Sequence, residues 1–303
     1  ADIDRTLCLD PVDVERKITP RTKAIVCVHF MGGVGHIDRI IDVARRHGVA
    51  VIEDCAQACG ASFRGQRIGS LGTVGCFSFQ HNKIMTSGEG GMLVTGDSRV
   101  FERAARFHDL GGLRPALAAQ LDGPPRLEAF AGSQFRMSEL TGAVALAQLR
   151  KLDNAVLEPC RRHHRRLRAA LREACPGLCF RDSGDPEGDA GIGLYLDLKT
   201  PARGTWFAKA LAAEGIPVGG TTRACNLLHS DYVQARRQAH PAMPPFGPRG
   251  DGSTPEYRPE CCPHTDPIIA SMVAVMITPS LSDRDADDIR EAIVKVWTAQ
   301  ETD

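Results

Sequence analysis

Apolar residues fall in short blocks along the first third of the chain, and the blocks alternate between two periods. Residues 24–30 form a largely β-branched apolar run, preceded by a turn over 18–23 in which Pro20 and two threonines break any helix. Residues 36–47 follow, with Ile37, Ile40, Ile41 and Ala44 at helical spacing and Gly48 as the stop. A second β-branched run over 49–52 ends in the acidic pair Glu53 and Asp54. Strand, helix and strand in this order predict a βαβ unit, hence parallel pairing through a right-handed crossover. Two more apolar runs, 74–79 and 92–94, flank the polar stretch Gln80, His81, Asn82, Lys83 and the glycine-rich turn Gly88, Glu89, Gly90, Gly91. Short runs bounded by glycine read as buried strands. A short helix over 12–17 precedes the first strand.

Beyond Asp97 the helical period takes over. A helix is predicted over 99–109, then a loop-rich passage over 111–132 that holds the adjacent prolines 124 and 125. Ser138 is placed to cap a helix bearing Leu140, Val144, Leu146, Leu149 and Leu152. The arginine-rich run 161–172 raises RNA binding, but Leu167 and Leu171 recur at helical spacing and make it a solvated helix face. Further on come a strand over 192–198, a helix over 205–214, a strand beginning at 215–218 and a closing helix within 279–296 whose Ile289, Ile293 and Val296 face inward. The stretch 234–260, rich in Pro, Gly and Arg, is too long for a simple connection and reads as mobile or substrate-shaping. The pattern predicts an α/β protein with a mostly parallel sheet flanked by helices and a smaller C-terminal α/β part. The expected boundaries are 1–137, a long connecting helix over 138–172, and 173–303.

Composition excludes several classes without choosing among enzymes. The chain has 303 residues, 43% apolar and 24% charged, ordinary values for a globular protein with a large core. With 37 basic and 37 acidic residues the net charge is zero, which gives no global attraction to nucleic acid or an acidic membrane surface. No apolar run spans a bilayer and no signal peptide opens the sequence, so a cytoplasmic protein is expected. Eleven cysteines, an odd count without a Cys-x-x-Cys pair, argue for reduced, buried small side chains, and no metal site is expected.

The candidate chemistry lies at strand ends, where open α/β sheets place their ligands. The chain holds 7 lysines against 30 arginines, so Lys83 stands out as an amine able to lose its proton, which arginine cannot do. Taken singly, Lys83 is an ordinary loop lysine and Asp54 an ordinary helix cap. Taken together, Asp54, Ser78 and Lys83 provide a carboxylate, a hydroxyl and an amine. A pyridoxal phosphate enzyme needs these for the ring nitrogen, the phosphate and the Schiff base. His29 ends its strand near Asp54 and reads either as a satisfied structural histidine or as a cofactor or substrate contact.

The motifs EDCAQACGA (53–61), GSLG (69–72), CFSFQ (76–80) with Lys83, and TSGEGG (86–91) resemble the signature of the DegT/StrS-type aminotransferases. The resemblance runs from Ala1 to about Leu149 and resumes near the C-terminus. It implies an aspartate-aminotransferase-like large domain and pyridoxal 5'-phosphate as cofactor. The acceptor would be a keto sugar or ketocyclitol, and the amino donor glutamine or glutamate. It further implies a homodimer with shared active sites. On it, Lys83 forms the Schiff base and then acts as the base, Asp54 holds the pyridine nitrogen protonated, Gln57 meets the ring hydroxyl and Ser78 the phosphate. GSQFRMSEL (132–140) is similar to the family's Gly-x-Asn-x-Arg-Met motif. Gln134 there takes the place of an asparagine that reaches the neighbouring subunit's phosphate, and Arg136 is placed for a substrate or phosphate oxygen or for an interface salt bridge. His29 and His229 are the remaining candidate substrate contacts. Gln80 with the TSGEGG turn resembles the aminocyclitol and aminobenzoate branches. Against the family pattern the sequence begins inside the large domain, short of a segment with a phosphate-binding Gly-Thr turn and a ring-stacking aromatic residue. A fragment, a segment carried on another polypeptide and a catalytically impaired partner subunit are the three expectations this leaves open. A sugar dehydratase of the same family would carry histidine where Lys83 stands.

Overall fold

The computed structural model describes residues 1–219, 225–240, 246 and 256–300. The first helix, α1 (Pro11–Lys17), is capped by the Asp10 carboxylate, which accepts from the backbone of Val12. Next come β1 (Ala24–Val28), α2 (Ile37–His47) and β2 (Ala50–Asp54). Helix α2 buries Ile37, Ile40, Val43 and Ala44 against the sheet, and ends where Gly48 turns left-handed (φ 63°) and donates to the carbonyls of Ala44 and Arg45. A two-residue hairpin, β3 (Ser62–Phe63) and β4 (Gln66–Arg67), leads to β5 (Val74–Ser78) and β6 (Gly91–Val94).

The first sheet has the order β1-β2-β5-β6. β1 pairs parallel with β2 from Ala24 opposite Ala50 to Val28 opposite Asp54, and β2 pairs parallel with β5, Asp54 lying opposite Cys76. β6 runs antiparallel at the edge. The sheet is therefore mostly parallel, as predicted, and the βαβ unit forms as the periodicity implied. One face of it packs on α2 through Ile25, Cys27 and Val51. On the other face Val26 is 52% exposed, and edge residues Met92, Leu93 and Val94 are exposed too.

Helices α3 (Ser98–His108) and α4 (Pro115–Ala118) precede α5 (Glu139–Lys151), capped by Ser138 through the backbone of Thr141. The long helix expected over 138–172 is broken: a π-helical turn, Leu152–Leu157, separates α5 from α6 (Glu158–Ala174). Pro159 explains the widening, since its ring lacks an N–H and collides with the carbonyl one turn earlier.

The second sheet is antiparallel, with order β7-β8-β10-β9: β7 (Cys179–Phe180), β8 (Gly193–Asp197), β9 (Val218–Gly219) and β10 (Met272–Met276). Around it lie α7 (Pro201–Ala213), α8 (Asp231–Gln234), α9 (Thr265–Ser271) and α10 (Asp283–Gln300). Its core joins Leu167 and Leu171 of α6, Phe207 and Leu211 of α7, and Ile289, Ile293 and Val296 of α10. Strand β10, which lies between β8 and β9, is absent from the sequence expectation. Its residues continue an apolar run begun in α9, and nothing in the pattern marks the change of period. Of the 234–260 stretch, residues 241–245 and 247–255 lie outside the described residues. No helix among the described residues is long and apolar enough to cross a membrane.

Candidate active site

The carboxyl ends of β1, β2 and β5 form one edge, and the register brings Val28, Asp54 and Cys76 level there. Because successive strand side chains point to opposite faces, Glu53 and Asp54 part ways. Glu53 is fully buried and accepts from the backbone N–H of Gly69 (2.8 Å), Leu71 (2.8 Å) and Gly72 (2.6 Å). Its fourth partner is His29, whose Nε2 lies 3.0 Å from Glu53 Oε2. Burial alone would raise the Glu53 pKa, but hydrogen bonds from His29, Gly72 and Gly69 outweigh it and hold the carboxyl below its usual range.

The expectation that His29 contacts substrate is corrected by this geometry. The ring has no exposed surface and its Nε2 is committed to Glu53, so His29 supports the strand end from behind. The role of Glu53 was missed in the sequence, where it appeared only as Asp54's neighbour.

Asp54 is half-buried and takes one internal hydrogen bond, from the Ala56 N–H to Oδ1 (3.0 Å). Ser78, on the last residue of β5, accepts from the Gln80 N–H at 3.4 Å, and its hydroxyl proton is donated to no group among the described residues. Lys83 sits on an excursion that leaves and rejoins this strand end. The Lys83 N–H closes a turn on Gln80 O (2.9 Å), while Ser87 N–H and Thr86 Oγ1 both return to Phe79 O, at 3.0 and 3.1 Å. Gly90 (φ 141°) then lets the chain pair back as β6, and Phe79 N–H donates to Gly90 O at 2.9 Å. Lys83 is half-buried, and its Nζ meets no ion pair or hydrogen bond among the described residues.

Gln57 follows Asp54 by one turn of chain. Its Oε1 accepts from the Met31 N–H (3.2 Å) and its backbone carbonyl from the Gly32 N–H (2.8 Å), while its NH2 makes no hydrogen bond among the described residues. The structure thus brings Asp54, Gln57, Ser78 and Lys83 to one sheet edge.

Arg136 and His229 are engaged elsewhere, and Gln134 makes a local bond. Gln134 is exposed and its Oε1 caps the Arg136 N–H at 3.0 Å. Arg136 is ion-paired with Asp109, which also holds Arg114; those two arginines keep the Asp109 carboxyl below its usual range. The motif still lies near the lysine loop, since an added Cβ at Gly90 would come within 2.8 Å of Met137 Cε. His229, at the end of a 3-10 turn (Leu227–His229), is bound through Nε2 to Asp266 at 2.5 Å.

These residues fit pyridoxal phosphate on their own chemistry. Asp54 Oδ2, Gln57 Nε2, Ser78 Oγ–H and Lys83 Nζ are half-buried polar groups without internal partners among the described residues. They offer an acceptor for a pyridinium N–H, a donor for a ring oxygen, a donor for phosphate and an amine for an aldehyde. His29, Glu53 and Cys55 are close enough to one another to share a metal ion. The three amides on Glu53 and its bond to His29 already use that carboxylate, so the cluster is a hydrogen-bond network.

Comparison with solved structures defines the class: the chain has the fold of an aminotransferase. It superposes on 3-amino-5-hydroxybenzoic acid synthase with a TM-score of 0.74 and 27% identity, over 99% of this chain and 73% of that one. The chain belongs to the DegT/DnrJ/EryC1/StrS aminotransferase family, whose profile matches residues 1–216. It is 39% identical over 254 residues to the L-glutamine:2-deoxy-scyllo-inosose aminotransferase of Streptoalloteichus tenebrarius, over 77% of this chain and 56% of the relative. It is also 44% identical over 151 residues to the GDP-perosamine synthase of Caulobacter vibrioides, over 49% of this chain and 38% of that protein. The matches span about half the length of these curated relatives or less.

Proposed function

We propose that this chain carries the lysine-bearing part of a pyridoxal phosphate-dependent aminotransferase acting on a ketocyclitol or keto sugar. The observation that carries the proposal is the register of β1, β2 and β5, which sets Asp54, Ser78 and the Lys83 loop on one sheet edge with their polar atoms uncommitted. The cofactor, when bound, supplies an electron-withdrawing ring that stabilises charge left by deprotonation.

The protein does the remainder. Asp54 would hold a proton at the ring nitrogen, Gln57 Nε2 would donate to the ring oxygen, and Ser78 Oγ would donate to the phosphate. Lys83 Nζ would hold the cofactor and, once displaced by the amino donor, would be the free amine that takes the proton from the donor's α-carbon. The donor is glutamine or glutamate. A relative named for L-glutamine and 2-deoxy-scyllo-inosose supports glutamine and a cyclitol, and a GDP-perosamine synthase supports a sugar. The setting is secondary-metabolite or aminosugar biosynthesis in the cytoplasm.

A homodimer with shared sites belongs to the same proposal. Leu140 is 82% exposed on α5, and Val144, Leu146 and Leu149 are exposed with it, beside the segment bearing Gln134. The division into a cofactor-binding part over 1–137, a connecting segment over 138–172 and a smaller part over 173–303 is likewise proposed; a cluster built mainly on residues 14–85 and another on residues 160–297 support it, while Leu7 packs with Tyr195, Ile268, Met272 and Ala274 across the division.

An absorbance scan with added pyridoxal phosphate tests the function. The wild-type full-length protein should show a visible band that Lys83→Ala abolishes while leaving folding stability within about 0.5 kcal/mol, as for a side chain that makes no hydrogen bond or ion pair among the described residues. A band unchanged by that substitution overturns the assignment. Mass spectrometry of the product then separates gain of nitrogen from loss of oxygen, the outcome of a dehydratase.

A further inference from the structure

The loop after β1 is held by a residue from the other sheet. Arg181 follows β7, is 6% exposed, and binds Asp189 through Nη2 at 2.7 Å while stacking over the Tyr195 ring at 4.4 Å. A second guanidinium nitrogen, Nη1, donates to the carbonyl of Phe30 at 3.1 Å, which also accepts from the Gly33 N–H at 3.0 Å. That carbonyl and the Met31 N–H are the two ends of one peptide unit, and the Met31 N–H donates to Gln57 Oε1 at 3.2 Å. The peptide is locked in this orientation from both sides. Met31 sits at φ 47°, ψ 54°, a conformation a side-chain-bearing residue adopts only when its surroundings impose it. Gly32 O accepts from Ala190 N–H at 2.9 Å, and an added Cβ at Gly33 would run into the guanidinium.

We propose that Arg181 is a positioning residue which, through the Phe30–Met31 peptide, fixes the side-chain amide of Gln57 with its NH2 toward the cofactor's ring oxygen. A cation on the carbonyl end of a peptide strengthens the N–H at the other end as a donor. An amide whose oxygen is turned toward that N–H presents its NH2 on the opposite side. The second sheet thereby sets the hydrogen bond felt by the ring. The inference rests on the reading of Gln57 as the ring oxygen's neighbour, and it deepens that reading by naming what holds the amide.

Two measurements on the full-length protein test it. The first needs no cofactor: amide hydrogen exchange of Met31 in wild type, Arg181→Gln and Arg181→Lys. Lysine keeps a charge beside Asp189 but lacks the planar fork that serves two acceptors at once, and it carries the test if the glutamine variant does not fold. Met31 should exchange about tenfold faster in either variant, while Val51 and Ile52 in β2 keep their protection. Unchanged Met31 exchange, or equal acceleration throughout, overturns the relay. The second is the pH titration of the visible band with bound pyridoxal phosphate. Arg181→Lys should move its midpoint in the same direction as Gln57→Ala, and the double variant should move no further than Gln57→Ala alone. Additive shifts overturn the proposal. A wild-type protein without a Lys83-dependent band would defeat the cofactor assignment instead, and the exchange result would still decide the relay.

Discussion

Glu53 receives hydrogen bonds from His29 and from the amides of Gly69, Leu71 and Gly72, and it stands one residue before Asp54. Anchoring Glu53 on one face of β2 fixes the direction of Asp54 on the other. Glu53→Gln replaces an acceptor-only group by one that presents an NH2 toward those amides, and should cost about 2–4 kcal/mol in denaturant unfolding. The pH dependence follows from the lowered pKa. A carboxyl held below its unfolded value stabilises fully above that value, about 4.3 for glutamate, and the stabilisation is lost as pH falls through the folded value. Unfolding midpoints measured below about pH 5 should therefore fall less steeply in Glu53→Gln than in wild type. The acidic pair was visible in the sequence, and the strand end singled out Asp54. That Glu53 is the anchor and His29 its partner was not visible, because the three amides come from a loop 16 to 19 residues away whose course no local pattern dictates.

Among the elements, β5 shows how tightly the site's frame is built. An added Cβ at Gly75 would run into the backbone of Gly69, so strand and loop touch at a point where only glycine fits. Gly75→Ala should push the 69–72 loop from the strand, loosen the amides on Glu53 and cost about 1–3 kcal/mol, read as a lowered thermal midpoint. The run 74–79 and the glycine turn after it were legible because strands bounded by glycine have a signature of their own. Two other elements were not. β10 continues the apolar run of α9 without a break in composition, and its place between β8 and β9 depends on partners at residues 193–197 and 218–219. The break between α5 and α6 was signalled by Pro159, but the helical period on either side of it read as one long helix.

For the molecule as a whole, apolar surface lies where the periodicity alone would bury it. Leu140, Val144, Leu146 and Leu149 are exposed on α5, and Val26, Met92, Leu93 and Val94 on the first sheet. Apolar side chains exposed around a helix, Leu140 and Val144 on one side and Leu146 and Leu149 on the other, are suited to a protein interface. If α5 lies at the dimer interface, Leu146→Glu together with Leu149→Glu should weaken self-association about tenfold or more in sedimentation velocity, without lowering the unfolding midpoint of the separated subunit. An unchanged sedimentation profile would place the interface elsewhere. The local pattern of residues was enough to determine the βαβ unit, the mostly parallel sheet, the Ser138 cap and the strand ends where Asp54, Ser78 and Lys83 stand, because each follows from short-range periodicity and turn chemistry. Tertiary structure alone decided which side of β2 faces the site, that His29 is enclosed, that Arg136 and His229 are held by Asp109 and Asp266, and that Arg181 reaches the loop after β1. Those contacts join residues 24 to 151 positions apart, and packing of distant segments, rather than local propensity, sets them.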